Sequence, residues 1–250
     1  RHLDDRAADP TVRLNHTRTA TATTIRETLT VSSHLDTPIT TDAVVSLTAD
    51  LSDMDWVKAG IDAPAHPAVE VHAESATWSN ESVHARLEAP GAVVQASDGR
   101  IELRWPLEVP PHGHTSVTWT IAARDEQAVV TGVEAPPRWS IPEVDADDER
   151  LPRWLDTALG DLDALRMATT DEPDLVFLAA GAPWFFTLFG RDSIWAARFL
   201  LPLGTELAHD TLRVLAGLQG TKDVIASAEQ PGKIMHELRR ETLHIPDEAI

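Results

Sequence analysis

Cysteine is absent from the 250-residue chain, which excludes disulfide staples and thiolate metal sites together. That absence suits a reducing compartment, and a cytoplasmic location is the expectation. In such a setting the Asn15-His16-Thr17 and Asn80-Glu81-Ser82 sequons are coincidental. Basic residues are scarce: 21 Lys and Arg stand against 40 Asp and Glu, a formal net charge of −19. Binding to nucleic acid depends on clustered cations that release counterions, so this balance argues against a polyanionic partner and for a neutral ligand. No run approaches the roughly 18 apolar residues of a membrane span, and RHLDDRAADP at the start has no signal-peptide core. No membrane partner is expected. The chain opens at Arg1 and not at Met, so a fragment is expected.

What remains is ordinary globular material, 42% hydrophobic and 24% charged, long enough for one large or two modest domains. From about Thr11 to Ala123 the text alternates with period two. TIRETLTV from Thr24, AVVSLTAD from Ala43, AVEVHAE from Ala68, VHARLEA from Val83, RIELRWPLEV from Arg100 and HTSVTWTIAA from His114 each place apolar residues at every second position. Half-buried strands have that pattern. Turn residues fall between them, including Ser97-Asp98-Gly99 and Pro110-Pro111-His112-Gly113. Short strands at such spacing predict an antiparallel β-sandwich. Trp105 and Trp119, inside alternating runs, belong to its core.

Between Gln127 and Arg153 the composition changes to prolines (Pro136, Pro137, Pro142, Pro152) and acids, which predicts a stiff linker. Helical periodicity follows. Leu155, Leu159, Leu162 and Leu165 form one apolar stripe. A second helix is expected after an Asp192 or Ser193 cap, running to Pro202, and a third from Thr205 to Gly220.

The most distinctive stretch is APWFFTLFGRDS, Ala182 to Ser193, answered by EQPGKIMHE, Glu229 to Glu237. Four aromatics crowd up to an Arg191-Asp192 pair that opens an apolar helical run. Aromatic walls beside a fixed cation and anion suit a sugar, whose ring faces stack on aromatic carbons while its hydroxyls need directed donors and acceptors. Gly190 lets the backbone turn or approach a ligand closely. On residue types alone, an aromatic core with a helix N-terminal salt bridge explains the stretch equally well.

PWFFTLFGRDS followed by PGKIMHELR resembles the start of the catalytic domain of bacterial amylo-α-1,6-glucosidases, the glycogen debranching enzyme-like family. The β-rich stretch before it resembles that family's N-terminal domain, so the resemblance covers most of the chain. It implies a mixed fold: a β-sandwich over residues 1–126, the linker at 127–153, and an all-α segment at 154–250 that starts an (α/α)6 barrel. It implies that Arg191 and Asp192 grip sugar hydroxyls, that Trp184 and Phe189 line the subsite, and that Lys233, His236 and Glu237 lie on a neighbouring loop. The barrel needs more helices than this chain supplies, and the catalytic carboxyls are expected beyond Ile250. An inverting glycosidase holds two carboxyls about 6.5–9.5 Å apart; Asp192 and Glu237 would be candidates on sequence alone, but the resemblance assigns Asp192 to binding.

Other motifs fail on inspection. His236-Glu237 lacks the second histidine of HExxH, because position 240 is Arg240. Gly220-Thr221-Lys222 lacks the spacing of a phosphate loop, and no GxSxG elbow surrounds Ser193. Neither cofactor nor metal is expected. The leading expectation is an inverting glycoside hydrolase fragment acting on α-glucans. The alternatives are another (α/α)6-barrel α-glycosidase and a truncated, non-catalytic carbohydrate-binding protein.

Overall fold

The structure, a computed structural model, describes residues 10–60, 66–225 and 227–240. The chain divides into two units, Arg1–Glu126 and Gln127–Ile250.

In the first unit the strands are β1 (Val12–Ala20), β2 (Thr24–Ser33), β3 (Ile39–Thr48), β4 (Val69–His72), β5 (Ser75–Ser79), β6 (Val83–Glu88), β7 (Val93–Ser97), β8 (Arg100–Val109) and β9 (His114–Asp125), with the short helix α1 (Met54–Ala59) after β3. They form a six-stranded antiparallel sheet, β1-β2-β9-β6-β5-β4, and a three-stranded one, β3-β8-β7. Strand β8 shows why. Its apolar positions Ile101, Leu103, Trp105, Leu107 and Val109 are all buried while the intervening residues are mostly exposed. Side chains alternate across a strand, so one face of β8 is entirely core. That face meets Leu87, Val117 and Trp119 from the six-stranded sheet in one cluster, with the Trp105 and Trp119 rings 5.8 Å apart. Complete burial of a Leu, Ile or Val side chain contributes about 1.5–3 kcal/mol, so this interior holds the two sheets together as a sandwich.

Two local details fit the sequence chemistry. Asp98 and Gly99 both have positive φ, 51° and 72°, at the β7–β8 turn. A two-residue hairpin that matches strand twist requires this, and Asp-Gly supplies it. Pro106 is tolerated inside β8 because pairing with β7 ends at Arg104, leaving the proline beside β3 alone.

The second unit holds strands as well as helices, whereas the resemblance implied an all-α segment over residues 154–250. It contains β10 (Val130–Gly132), α2 (Arg150–Asp163), β11 (Arg166–Thr169), β12 (Val176–Leu178), α3 (Gly190–Phe199), a 3-10 turn at Leu201–Leu203, and α4 (Glu206–Gly217). Strands β10, β11 and β12 form a three-stranded antiparallel sheet. RMAT and VFL are too short to show alternation, and β11 and β12 are buried throughout, so no periodic signal distinguishes them from helix. β10 lies inside the stretch expected to be linker. Phe177 packs with Leu188, Val214 and Leu215, whereas Val176 and Leu178 pack with Ala197 and Leu207. β12 therefore contributes to two apolar clusters. Asp210 of α4 is buried, accepts a 2.8 Å hydrogen bond from Arg138, and lies 3.4 Å from the Val176 N–H, which ties α4 to β12.

Candidate functional site

The signature stretch builds its geometry through one short antiparallel pairing. The Leu238 N–H donates to the Leu188 carbonyl at 2.9 Å, the Gly190 N–H to the His236 carbonyl at 3.1 Å, and Thr187 Oγ1 to the Leu238 carbonyl at 2.9 Å. Glu229–Glu237 thus returns to the start of α3. At Gly190 the two segments are so close that a Cβ would overlap the Met235 carbonyl oxygen and sit 2.7 Å from Ile234 Cγ2. The glycine is required by the protein's own backbone, and its proximity to a ligand is not what demands it.

α3 begins earlier than its sequence suggested. Phe189, extended at φ −110° and ψ 125°, precedes the first helical residue, and Asp192 and Ser193 lie inside the first turn and do not cap it. Ser193 is buried and its hydroxyl donates to the Leu178 carbonyl at 2.9 Å, fastening α3 to β12. That anchor leaves Arg191, Ile194, Trp195 and Arg198, at helical spacing, to form one wall of an open cleft of about 570 Å³. Lys233, Ile234, Met235 and His236 form the other wall. The Arg198 guanidinium lies 4.9 Å from the centre of the Trp195 ring.

Of the residues singled out by sequence, Arg191, Lys233 and His236 line this cleft. Asp192 sits beside Arg191 on an exposed surface, and their nearest approach is 3.9 Å, too long for a hydrogen bond. Such an exposed pair stabilises little, so both groups can still turn to a ligand. Trp184 is 43% exposed but does not line the cleft. Phe189 is buried below it, edge-on to Phe185 at 5.8 Å and to His236 at 5.6 Å. The Glu237 side chain is 8% exposed, with Arg239 donating to its Oε2 from Nε at 2.9 Å and from the guanidinium end at 2.5 Å. These are strong charge-assisted bonds that hold the carboxylate as an ion pair. Trp195, Arg198 and Met235 were not anticipated as cleft residues. The signal was present in the spacing: positions 191, 194, 195 and 198 follow i, i+3, i+4, i+7.

A second concavity, of about 590 Å³, lies on the six-stranded sheet near Thr77, His84, Arg86 and Arg124. Its one tryptophan among the described lining residues, Trp78, is part of the core, so no exposed indole faces a ligand there. Among the described residues no group of three or more His, Cys, Asp or Glu could hold a metal ion, and no helix is long and apolar enough to cross a membrane.

Residues 1–120 match a family model described as the N-terminal domain of some glycogen debranching enzymes. That match spans most of the first unit, Arg1–Glu126. The comparison with curated proteins returned no match. Among solved structures, one titled "Putative kojibiose phosphorylase from human microbiome" is similar over 40% of this chain, with 9% identity and a TM-score of 0.31. The chain covers 14% of that protein, a small part of its length. The debranching-enzyme N-terminal domain accounts for the sandwich, and the α3 cleft lies outside the matched residues.

Proposed function

We propose that this chain is part of a glycoside hydrolase of the amylo-α-1,6-glucosidase type acting on α-glucans, with the second unit the beginning of an (α/α)6 barrel. The observation that carries the reading is the α3 cleft, in which Arg191, Trp195 and His236 converge beside Asp192 in a chain whose first unit is a debranching-enzyme N-terminal domain. A sugar ring stacks on the indole carbons, while the guanidinium, the imidazole and the neighbouring carboxylate direct its hydroxyls. Asp192 and Arg191 act in binding. Glu237, already committed to Arg239, holds the 236–238 segment and so orients His236.

Inverting hydrolysis needs one protonated and one ionised carboxyl across a shaped site. Among the described residues the cleft lining contains no carboxylate. The 250-residue chain by itself is therefore expected to bind without turnover. The test is kinetic, in the enzyme that carries this chain: Asp192→Asn and Arg191→Ala should each lower kcat/KM at least about tenfold, the loss expected when a charge-assisted hydrogen bond to a sugar hydroxyl disappears. The melting temperature should barely move. Unchanged activity on α-1,6-branched dextrins, or loss only through unfolding, would sink the reading.

A further inference from the structure

The charge of the cleft is the reverse of the chain's. Against a formal net charge of −19, its lining holds Arg191, Arg198 and Lys233, together with His236, and among the described residues no Asp or Glu. Each cation is presented in a way that leaves its charge available. Arg198 lies over the Trp195 ring, which orients the guanidinium without cancelling it. The Lys233 ammonium donates at 2.6 Å to the Ala228 carbonyl, a neutral acceptor, and an ammonium has two more protons to give. Arg191 is only loosely beside Asp192, at 3.9 Å. Among the nearby acids, the Glu237 side chain is paired with Arg239 and Glu229 accepts from the Thr221 N–H. A neutral glucan explains one arginine and an aromatic wall. It does not explain three cations around one opening in a strongly acidic protein, where such clustering costs repulsion unless an anion offsets it.

We infer that the cleft binds a phosphate group next to the sugar ring, so that its ligand is a phosphorylated glucosyl unit or a sugar together with inorganic phosphate. This rests on the α3 cleft being the sugar site proposed above. Arg198 and Lys233 take the phosphate oxygens, guanidinium and ammonium being the groups that bind such oxyanions, while Arg191 and Trp195 keep the sugar.

The experiment is calorimetric titration of the 250-residue chain with glucose 1-phosphate, glucose 6-phosphate, inorganic phosphate and maltotriose at low and high salt. At least one phosphate-bearing ligand should bind about tenfold or more tighter than maltotriose, and that preference should shrink as salt rises. Arg198→Gln should cut the preference at least about fivefold, whereas Arg213→Gln, exposed on α4 outside the cleft, should leave it unchanged. Binding of inorganic phosphate alone assigns free phosphate as the source; binding of the esters only assigns a phosphorylated sugar. Equal affinity for maltotriose and every phosphate ligand, no phosphate binding at all, or a preference that survives Arg198→Gln would each overturn the inference. Failure of maltotriose to bind counts separately against the glucan reading.

Discussion

Replacing Gly190 by alanine opposes two effects of known size. Alanine is favoured over glycine in a helix interior by about 1 kcal/mol, and Gly190 is the first residue of α3, so propensity alone gives at most that gain. Against it stands the added methyl, which would overlap the Met235 carbonyl oxygen and lie 2.7 Å from Ile234 Cγ2. Neither neighbour is the loose end of a flexible side chain, because Gly190 and His236 are joined backbone to backbone at 3.1 Å. Overpacking of this kind costs about 1–3 kcal/mol, and loss of the Gly190–His236 bond adds about 0.5–1.5 kcal/mol. The net expectation is destabilisation of the second unit by about 1–3 kcal/mol, with Lys233–His236 displaced from the cleft. Gly160 provides the control, since it lies in α2 with open space where its Cβ would go. Gly160→Ala should stabilise by about 0.4–1 kcal/mol. Because the chain has two units, the readout should be residue-resolved amide exchange at Leu238 and Ser193, not a single global melt. If Gly190→Ala protects those amides as well as or better than the parent chain, the close approach that shapes the cleft is wrong.

The ion pair Arg138–Asp210 should respond asymmetrically. Asp210 is 6% exposed and Arg138 57%, so Arg138→Ala leaves a buried carboxylate with only the His209 ring and the Val176 N–H as partners, while Asp210→Ala returns a guanidinium to water. Urea denaturation should show the first costing more than the second, by up to about 1–3 kcal/mol, because the buried carboxylate loses its closest cation while His209 and Val176 retain part of its bonding; equal costs would mean that Asp210 is not buried. Near α1, the Ser52 hydroxyl and N–H donate to Asp50 Oδ1 at 2.5 and 2.9 Å, and this bonding, ahead of a minor contribution from His66, holds the Asp50 carboxyl below its ordinary 3.8. A depressed carboxyl stabilises the fold above its unfolded pKa, and that contribution is lost as pH falls through the folded value. NMR titration should therefore find the Asp50 midpoint below 3.8 and Ser52→Ala raising it; no rise would refute the hydrogen-bond origin.

Legibility differed between the two units for a physical reason. A strand with one wet face and one dry face carries its burial pattern in its letters, and RIELRWPLEV and HTSVTWTIAA show the pattern over ten residues. β1 carries less of it, because Leu14 on its inward-alternating positions is 65% exposed and the strand lies at the edge of the larger sheet. In the second unit, β11 and β12 are three or four residues long and buried throughout, so their letters fit any buried element. Caps misled for a related reason. Asp192 and Ser193 are favourable N-cap types, but Ser193 spends its hydroxyl on Leu178 and the turn starts at Gly190. Aromatic residues in the signature stretch drew attention to Trp184 and Phe189, yet exposure and position separate them: Phe189 supports the cleft from below, and Trp195, one helical turn past Arg191, faces it. The local positive charge was hidden because Lys233 is far in sequence from Arg191 and Arg198, and all three are outnumbered in the total.

Tryptophan-resolved binding tests the sugar site most directly. With indole N–H signals assigned, maltotriose should be titrated into the 250-residue chain and followed by NMR. The Trp195 indole and the His236 ring should shift together and saturably, while the core indoles of Trp105 and Trp119 stay fixed, and Arg191→Ala should weaken the response at least about tenfold, as expected for a lost charge-assisted bond. Saturable shifts confined to the sandwich, or no shift at Trp195 throughout the maltotriose titration, would contradict a sugar site on α3.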